Sequence, residues 1–134
     1  MSIDREQALD FLERYRTCWE AWDLEGFLGL FTEDAVYFEH PVDETLVGRE
    51  ELGRYFRREQ REGGEATVRM GRPMVEGDQL VAEFWVTMIR GEQDATLSGC
   101  FFARLDPARG GCTFYRQYWH EFAGRIEPFD NWGT

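Results

Sequence analysis

The groups in this 134-residue chain that can do chemistry are few, and the best placed of them closes the run Glu33-Asp34-Ala35-Val36-Tyr37-Phe38-Glu39-His40-Pro41. Val36-Tyr37-Phe38 has the β-branched and aromatic composition of a strand, and Pro41 biases His40 out of helical dihedrals and stops the ladder. His40, one of two histidines, therefore stands at a strand end, and with an unperturbed pKa of about 6.5 it can shuttle a proton near neutrality. Glu39 is its alternative, because a one-residue slip of register exchanges the two faces of a strand. Tyr15 offers a phenol that can polarise a carbonyl or hold an enolate oxygen. A strand-end histidine bonded to backbone and a core tyrosine with a satisfied hydroxyl would have the same sequence, so the position of both groups decides. Nucleophilic catalysis has weaker support: Ser98 is the only serine after Ser2, and no cysteine has a histidine beside it. Glu39-His40 and His120-Glu121 suggest nitrogen and oxygen ligands, but no HExxH-type spacing joins them. Neither a metal nor a cofactor is expected.

Composition narrows the classes. The formal net charge is -11, from 26 acidic and 15 basic residues, a balance that repels phosphate backbones and anionic lipid. No nucleic-acid or membrane partner is expected. All the basic residues are arginine, so Schiff-base lysines, lysine-anchored pyridoxal phosphate and the P-loop lysine are excluded. No apolar run approaches the roughly 18 residues of a membrane span, and the first residues do not read as a signal peptide. Cys18, Cys100 and Cys112 lack ligand spacing and read as reduced thiols of a cytoplasmic protein.

The elements that must position these groups follow from periodicity. Residues 4–21 read as a helix capped by Asp4, with Leu9, Leu12, Trp19 and Trp22 on one stripe and Phe11, Tyr15 and Cys18 on the next. Asp23 caps a short second helix reaching Phe31, and Thr45-Leu46-Val47 forms a return strand to the one ending at His40. A third helix over about 49–61 buries Leu52, Tyr55 and Phe56, keeps Arg57, Arg58, Glu59 and Arg61 wet, and stops at Gly63-Gly64. Strand-like segments over about 65–76, 79–90, 94–106 and 112–123 are joined by turn residues, which predicts three consecutive hairpins. The tail from Arg125 reads as irregular, and the whole as one domain. Helices gathered on one face of an antiparallel sheet make an α+β fold, and four long strands must coil into a cone whose open end is a pocket.

The chain resembles the superfamily of nuclear transport factor two, ketosteroid isomerase, limonene-epoxide hydrolase and SnoaL-type polyketide cyclases. The resemblance rests on Arg14-Tyr15, Asp23-Leu24-Glu25, Phe31-Thr32-Glu33-Asp34-Ala35-Val36, His40-Pro41, Gly48-Arg49-Glu50 and Tyr115-Arg116-Gln117-Tyr118-Trp119-His120. It implies a cystatin-like cone, a curved antiparallel sheet with three N-terminal helices over its concave face. It gives Tyr15 the place of the isomerases' oxyanion-hole tyrosine and puts His40 before the proline that follows their aspartate base. Phe101 falls where their second, protonated donor would be. Gln117 takes the place of the hydrolases' water-activating aspartate, and Trp85 and Thr87 fall near their arginine and aspartate. The same match turns Thr113, Tyr115, Gln117, Trp119 and Glu121 toward the cavity and the alternating set outward.

The expectation is a pocket for a small apolar molecule, walled by Glu39, Trp85, Thr87, Phe101, Tyr115, Gln117 and Trp119, with His40 and Tyr15 as catalytic groups. An isomerase, cyclase or hydrolase acting on a carbonyl-type compound by general acid/base chemistry is one reading; a non-catalytic ligand-binding module on the same fold is the other. The segment Val81 to Ile89 is apolar on both faces and must be covered on both. A homodimer through the convex sheet face, near Phe84, Val86, Tyr118 and His120, would cover it.

Overall fold

The computed structural model describes residues 2–134. Helix α1, Arg5–Ala21, opens on a capping box in which Asp4 accepts from the Gln7 N–H and the Gln7 side chain accepts from the Asp4 N–H. It ends at Trp22, held in the left-handed region at φ 53°, a conformation that a bulky side chain adopts only under constraint. The constraint is visible: the Trp22 indole N–H donates to Gly64 O at 3.0 Å. A Cβ on Gly63 would fall 2.8 Å from the indole's Cζ2. Helix α2 is shorter than its periodicity suggested, Leu24–Leu28. Phe31 instead opens strand β1, Phe31–Phe38, because the chain turns at Gly29 and Leu30 and buries Phe31 against Tyr37 and Tyr115 from the sheet side.

Strand β2, Thr45–Val47, returns along β1, and helix α3, Gly48–Glu62, follows with Leu52, Tyr55 and Phe56 buried. The remainder is β3, Gly63–Met70; β4, Met74–Glu76; β5, Gln79–Arg90; β6, Gln93–Asp106; and β7, Gly111–Ala123. The segment expected as one strand over 65–76 is broken at Gly71-Arg72-Pro73. Pro73 has no N–H to give a ladder, while the Arg72 N–H is taken by Gly133 O at 2.7 Å. The sheet order is β2-β1-β7-β6-β5-β3, with β4 also on β5. All neighbours are antiparallel except β1 and β7, which run parallel. That pairing joins the N-terminal hairpin to the last strand.

The sheet is curved, with the helices on its concave face. Register shifts in the β1–β7, β3–β5 and β6–β7 ladders mark bulges, which add twist. Within the β6–β7 ladder, where Gly99 pairs with Trp119, a side chain on Gly99 would collide with Tyr118 O and Trp119, so only glycine permits the close approach. Phe11, Tyr15, Phe27, Phe31, Tyr37, Phe56, Phe101 and Tyr115 form a continuous aromatic core between helices and sheet. Glu20 ties α1 to the edge of the sheet by accepting from the Val68 N–H at 2.7 Å.

The convex face is covered in part by the chain's own tail. Gly124 O accepts from Thr96 Oγ1, Thr96 Oγ1 accepts from the Ile126 N–H, and Ile126 O accepts from the Trp85 indole at 2.9 Å. Trp132, 9% exposed, meets Trp85 edge-on at 5.9 Å. The second cover that β5 requires is thus supplied within the chain. Phe84 and Val86, expected at a dimer contact, lie on the opposite, concave face.

Candidate functional site

The ladders decide which residues share the concave face. Val86 pairs with Leu97, Phe101 with Gln117 and Tyr37 with Tyr115. Even positions of β3 and β5 and odd positions of β1, β6 and β7 therefore point under the helices. Trp85 and Thr87 are consequently on the convex side, beneath the tail, and do not reach the pocket. The one-step difference in parity between β5 and β7 comes from the lengths of the hairpin turns, which the aromatic composition of the strands does not reveal.

What remains under the helices is a cavity of about 300 Å³, at the small end of ligand pockets. Its sheet wall is Val68, Met70, Phe84, Val86, Met88 and Leu97; Trp19 and Trp22 face them from the end of α1, and Tyr55 from α3. Tyr15 and Tyr115 close the floor, and Gln117, Trp119 and Glu39 stand toward β7 and the end of β1. Arg58, Glu59, Glu62 and Arg90 add charge. Phe101 faces the same side but is sealed below the cavity, stacked on Tyr115 at 4.9 Å and on Tyr15 at 6.1 Å.

His40 does not line the cavity. The strand ends at Phe38, the chain bends, and the imidazole turns behind Trp119, meeting that indole edge-on at 5.5 Å with its Nδ1 buried and without a partner. Glu39, at an odd position in line with Tyr37, takes the inward place. The Trp119 indole N–H donates to Glu39 O at 2.8 Å and fixes that stretch of backbone.

Two groups stand out chemically. Burial pushes the Glu39 carboxyl above its ordinary range, and the negative charges of Glu59 and Asp43 push the same way against Arg58 and Arg90. Glu59 is raised as well, again by burial first, with Arg90 opposing. Neither side chain has a hydrogen-bond or ion-pair partner among the described residues. The second group is a set of phenols. Tyr15 Oη and Tyr37 Oη lie 2.8 Å apart, and Tyr115 Oη donates to Gln117 Oε1 at 2.9 Å. Burial holds Tyr15, Tyr37, Tyr55 and Tyr115 far above the ordinary phenol range, hence neutral. Tyr37 is fully buried and outside the cavity lining. If it donates to Tyr15, the Tyr15 proton is left for another acceptor and is sharpened as a donor by the bond it accepts. The thiols of Cys18 and Cys112 are each pushed up to about 12 by burial and are unreactive.

Sequence reasoning placed Arg58 and Glu59 in solvent; both reach the cavity. The signal was present, since Glu59 lies four residues after Tyr55 and seven after Leu52, on the buried stripe of α3.

Comparison with known proteins agrees with this architecture. The description "SnoaL-like domain" matches residues 12–113. No protein of curated function matches the chain. Among solved structures, the epoxide hydrolase/cyclase-like enzyme SalBIII of pyran-ring formation in the polyether salinomycin aligns with TM-score 0.77 at 17% identity, over 87% of this chain and 93% of its own. RV0760c from Mycobacterium tuberculosis aligns with TM-score 0.77 at 23% identity, over 91% and 99%, and has also been solved with estradiol-17beta-hemisuccinate. A protein with a ketosteroid isomerase-like fold from Catenulispora acidiphila, in complex with trimethylamine, aligns with TM-score 0.72 at 16% identity, over 81% and 83%. With more than two thirds of its length inside the matched region and its helices and sheet superposing on these structures, the chain belongs to the SnoaL-like domain family, on the fold shared with nuclear transport factor two and ketosteroid isomerase.

Proposed function

We propose that the cavity takes a small molecule of carbonyl or epoxide type and isomerises, cyclises or hydrolyses it by general acid/base chemistry, with Glu39 as the proton carrier and Tyr15 as the oxygen-binding donor. The observation that carries this reading is that both groups line one largely apolar cavity, the carboxyl with its proton affinity raised by burial. A raised carboxyl is a better base once ionised and a usable acid while protonated. The neutral phenol, backed by Tyr37, can support negative charge as it develops on the substrate oxygen. Gln117, held by Tyr115, is the remaining polar group beside them. Phe101 brings no second donor, which favours substrates whose oxygen develops less charge than a dienolate. The ligands held by two of the structural relatives support the small-molecule reading. His40 has a supporting part here: its ring braces Trp119, which in turn fixes the Glu39 backbone.

The test is a panel of enone, β-keto and epoxide compounds assayed with three variants. Glu39→Gln should cost about 10²–10⁴-fold in turnover and Tyr15→Phe about 10²–10³-fold, both with ligand affinity retained. His40→Ala should cost less than either. Loss of turnover in His40→Ala with activity intact in Glu39→Gln overturns the assignment. Ligand binding without turnover across the panel points to a non-catalytic binding module.

We also propose that two copies pair through the part of the convex face the tail leaves open. There Arg116 stacks over Phe102, Phe114 and Tyr118 at 5.0, 5.5 and 5.8 Å, and Tyr118 and Phe122 are 41% and 46% exposed. Apolar side chains clustered in this way are typical of association surfaces.

A further inference from the structure

The charges around the cavity are unequal: Glu39, Glu59 and Glu62 line it against Arg58 and Arg90, whose charges only partly offset them. Of the two guanidiniums, Arg58 sits 3.8 Å from Glu44 and over the Tyr55 ring, and Arg90 sits 3.5 Å from Glu121. Neither Glu44 nor Glu121 lines the cavity, so the ion pairs of both arginines lie outside its lining. Arg90 also donates to Met88 Sδ at 3.5 Å and keeps a buried Nε without a partner. Glu39, Glu59 and Glu62 do line it, and among the described residues none of them enters an ion pair or a side-chain hydrogen bond. Two of the three belong to the last turn of α3, whose terminal carbonyls carry the negative end of the helix dipole. Trp22 is brought to that same helix end: its ring packs where a Cβ on Gly63, the C-cap residue, would lie, and Gly63 donates its N–H to Glu59 O. Trp19 meets Trp22 edge-on at 5.7 Å. An indole face is the best aromatic surface for a cation, and unpaired carboxylates and helix carbonyls beside it reinforce the same sign. Among the described residues no three acidic, histidine or cysteine side chains are arranged to hold a metal ion, and the apolar walls suit a cation with a hydrocarbon skirt.

We propose that the molecule taken by this cavity carries a protonated or quaternary amine, seated on Trp22 beside Glu59 and Glu62 at the C-terminal end of α3, with its reacting end turned to Glu39 and Tyr15. The proposal rests on the reading above only in placing the ligand in this cavity. It adds a requirement for positive charge that a carbonyl substrate alone would not impose. Burial first, then the neighbouring carboxylates (Glu59 and Asp43 for Glu39, Glu62 and Glu121 for Glu59), raise the proton affinity of these groups against Arg58 and Arg90. A cation beside them offsets both causes, so amine binding should strengthen as pH rises through their titration.

The experiment is calorimetric titration of the intact protein with choline and with 3,3-dimethylbutan-1-ol, its uncharged carbon analogue. Choline should bind about tenfold more tightly or better, the range expected for a cation on indole beside carboxylates. Glu59→Gln and Glu62→Gln should each weaken choline severalfold while leaving the alcohol unchanged, and Trp22→Leu should weaken choline more than the alcohol. Equal affinity of wild-type protein for the two probes, or no choline binding up to ~10 mM, where a millimolar dissociation constant would register, overturns the proposal without any variant having to fold. None of these variants alters Glu39 or Tyr15. A failed amine seat with Glu39→Gln still inactive is therefore distinguishable from a failed base with choline discrimination intact.

Discussion

At the scale of single residues, the role proposed for Glu39 comes at the expense of stability. Its carboxyl, like that of Glu59, holds its proton more tightly in the folded chain than in the unfolded one. Whatever stability these groups contribute is therefore present below the ordinary carboxylate range and is lost as pH rises through their raised values. Glu39→Gln stays neutral throughout, so it should raise Tm at pH 7 while slowing turnover, and it should flatten the decline in Tm between acid and neutral pH. Thermal unfolding across that range checks this, and a lower Tm at pH 7 would reveal a favourable partner for the ionised carboxylate. The sequence narrowed the candidates to neighbours, His40 or Glu39, and could go no further. Which of two adjacent side chains faces inward depends on how β1 pairs with β7, where Tyr37 lies opposite Tyr115.

At the scale of elements, local signals were reliable where one element sufficed to produce them. The Asp4 cap, the Phe11-Tyr15-Cys18 stripe of α1, the stripe of α3, the β2 return and the three hairpins all follow from spacing and turn chemistry, whereas Leu9, read onto the other stripe of α1, is 43% exposed. The parallel pairing of β1 with β7, the break before Pro73 and the inward face of β5 depend on distant partners. The tail shows this most clearly. Its irregular composition was legible, but not that it would lie over β5 and satisfy the outer face of a strand that reads as a subunit contact. Trp132 anchors it against Trp85, with the Arg69 guanidinium 5.6 Å from its ring. Trp132→Ala should cost about 3 kcal/mol in denaturant unfolding and open the Thr96 and Ile126 hydrogen bonds to exchange. A loss below ~1 kcal/mol would mean that the tail rests on the sheet without holding it.

At the scale of the whole molecule, the tail covers part of the outer side of the sheet, and the proposals above give the inner side a ligand and the rest of the outer side a second copy. The outer patch of Phe102, Phe114, Arg116, Tyr118 and Phe122 carries one stacked cation in a chain of net charge -11. Pairing through it should therefore weaken at low ionic strength, where two acidic bodies repel most. Sedimentation at micromolar concentration should show a dimer that Tyr118→Asp with Phe122→Asp converts to monomer without changing the ligand site. A wild-type monomer under those conditions would remove the convex face as an interface. The same division sorts the five tryptophans. Trp19, Trp22 and Trp119 look into the cavity, whereas Trp85 on the outer face meets Trp132 of the tail itself. The protein thus carries two separate intrinsic optical reporters. A variant with Trp85 and Trp132 both changed to phenylalanine would emit only from the three cavity indoles and report occupancy alone, while the emission it loses is the part that follows seating of the tail.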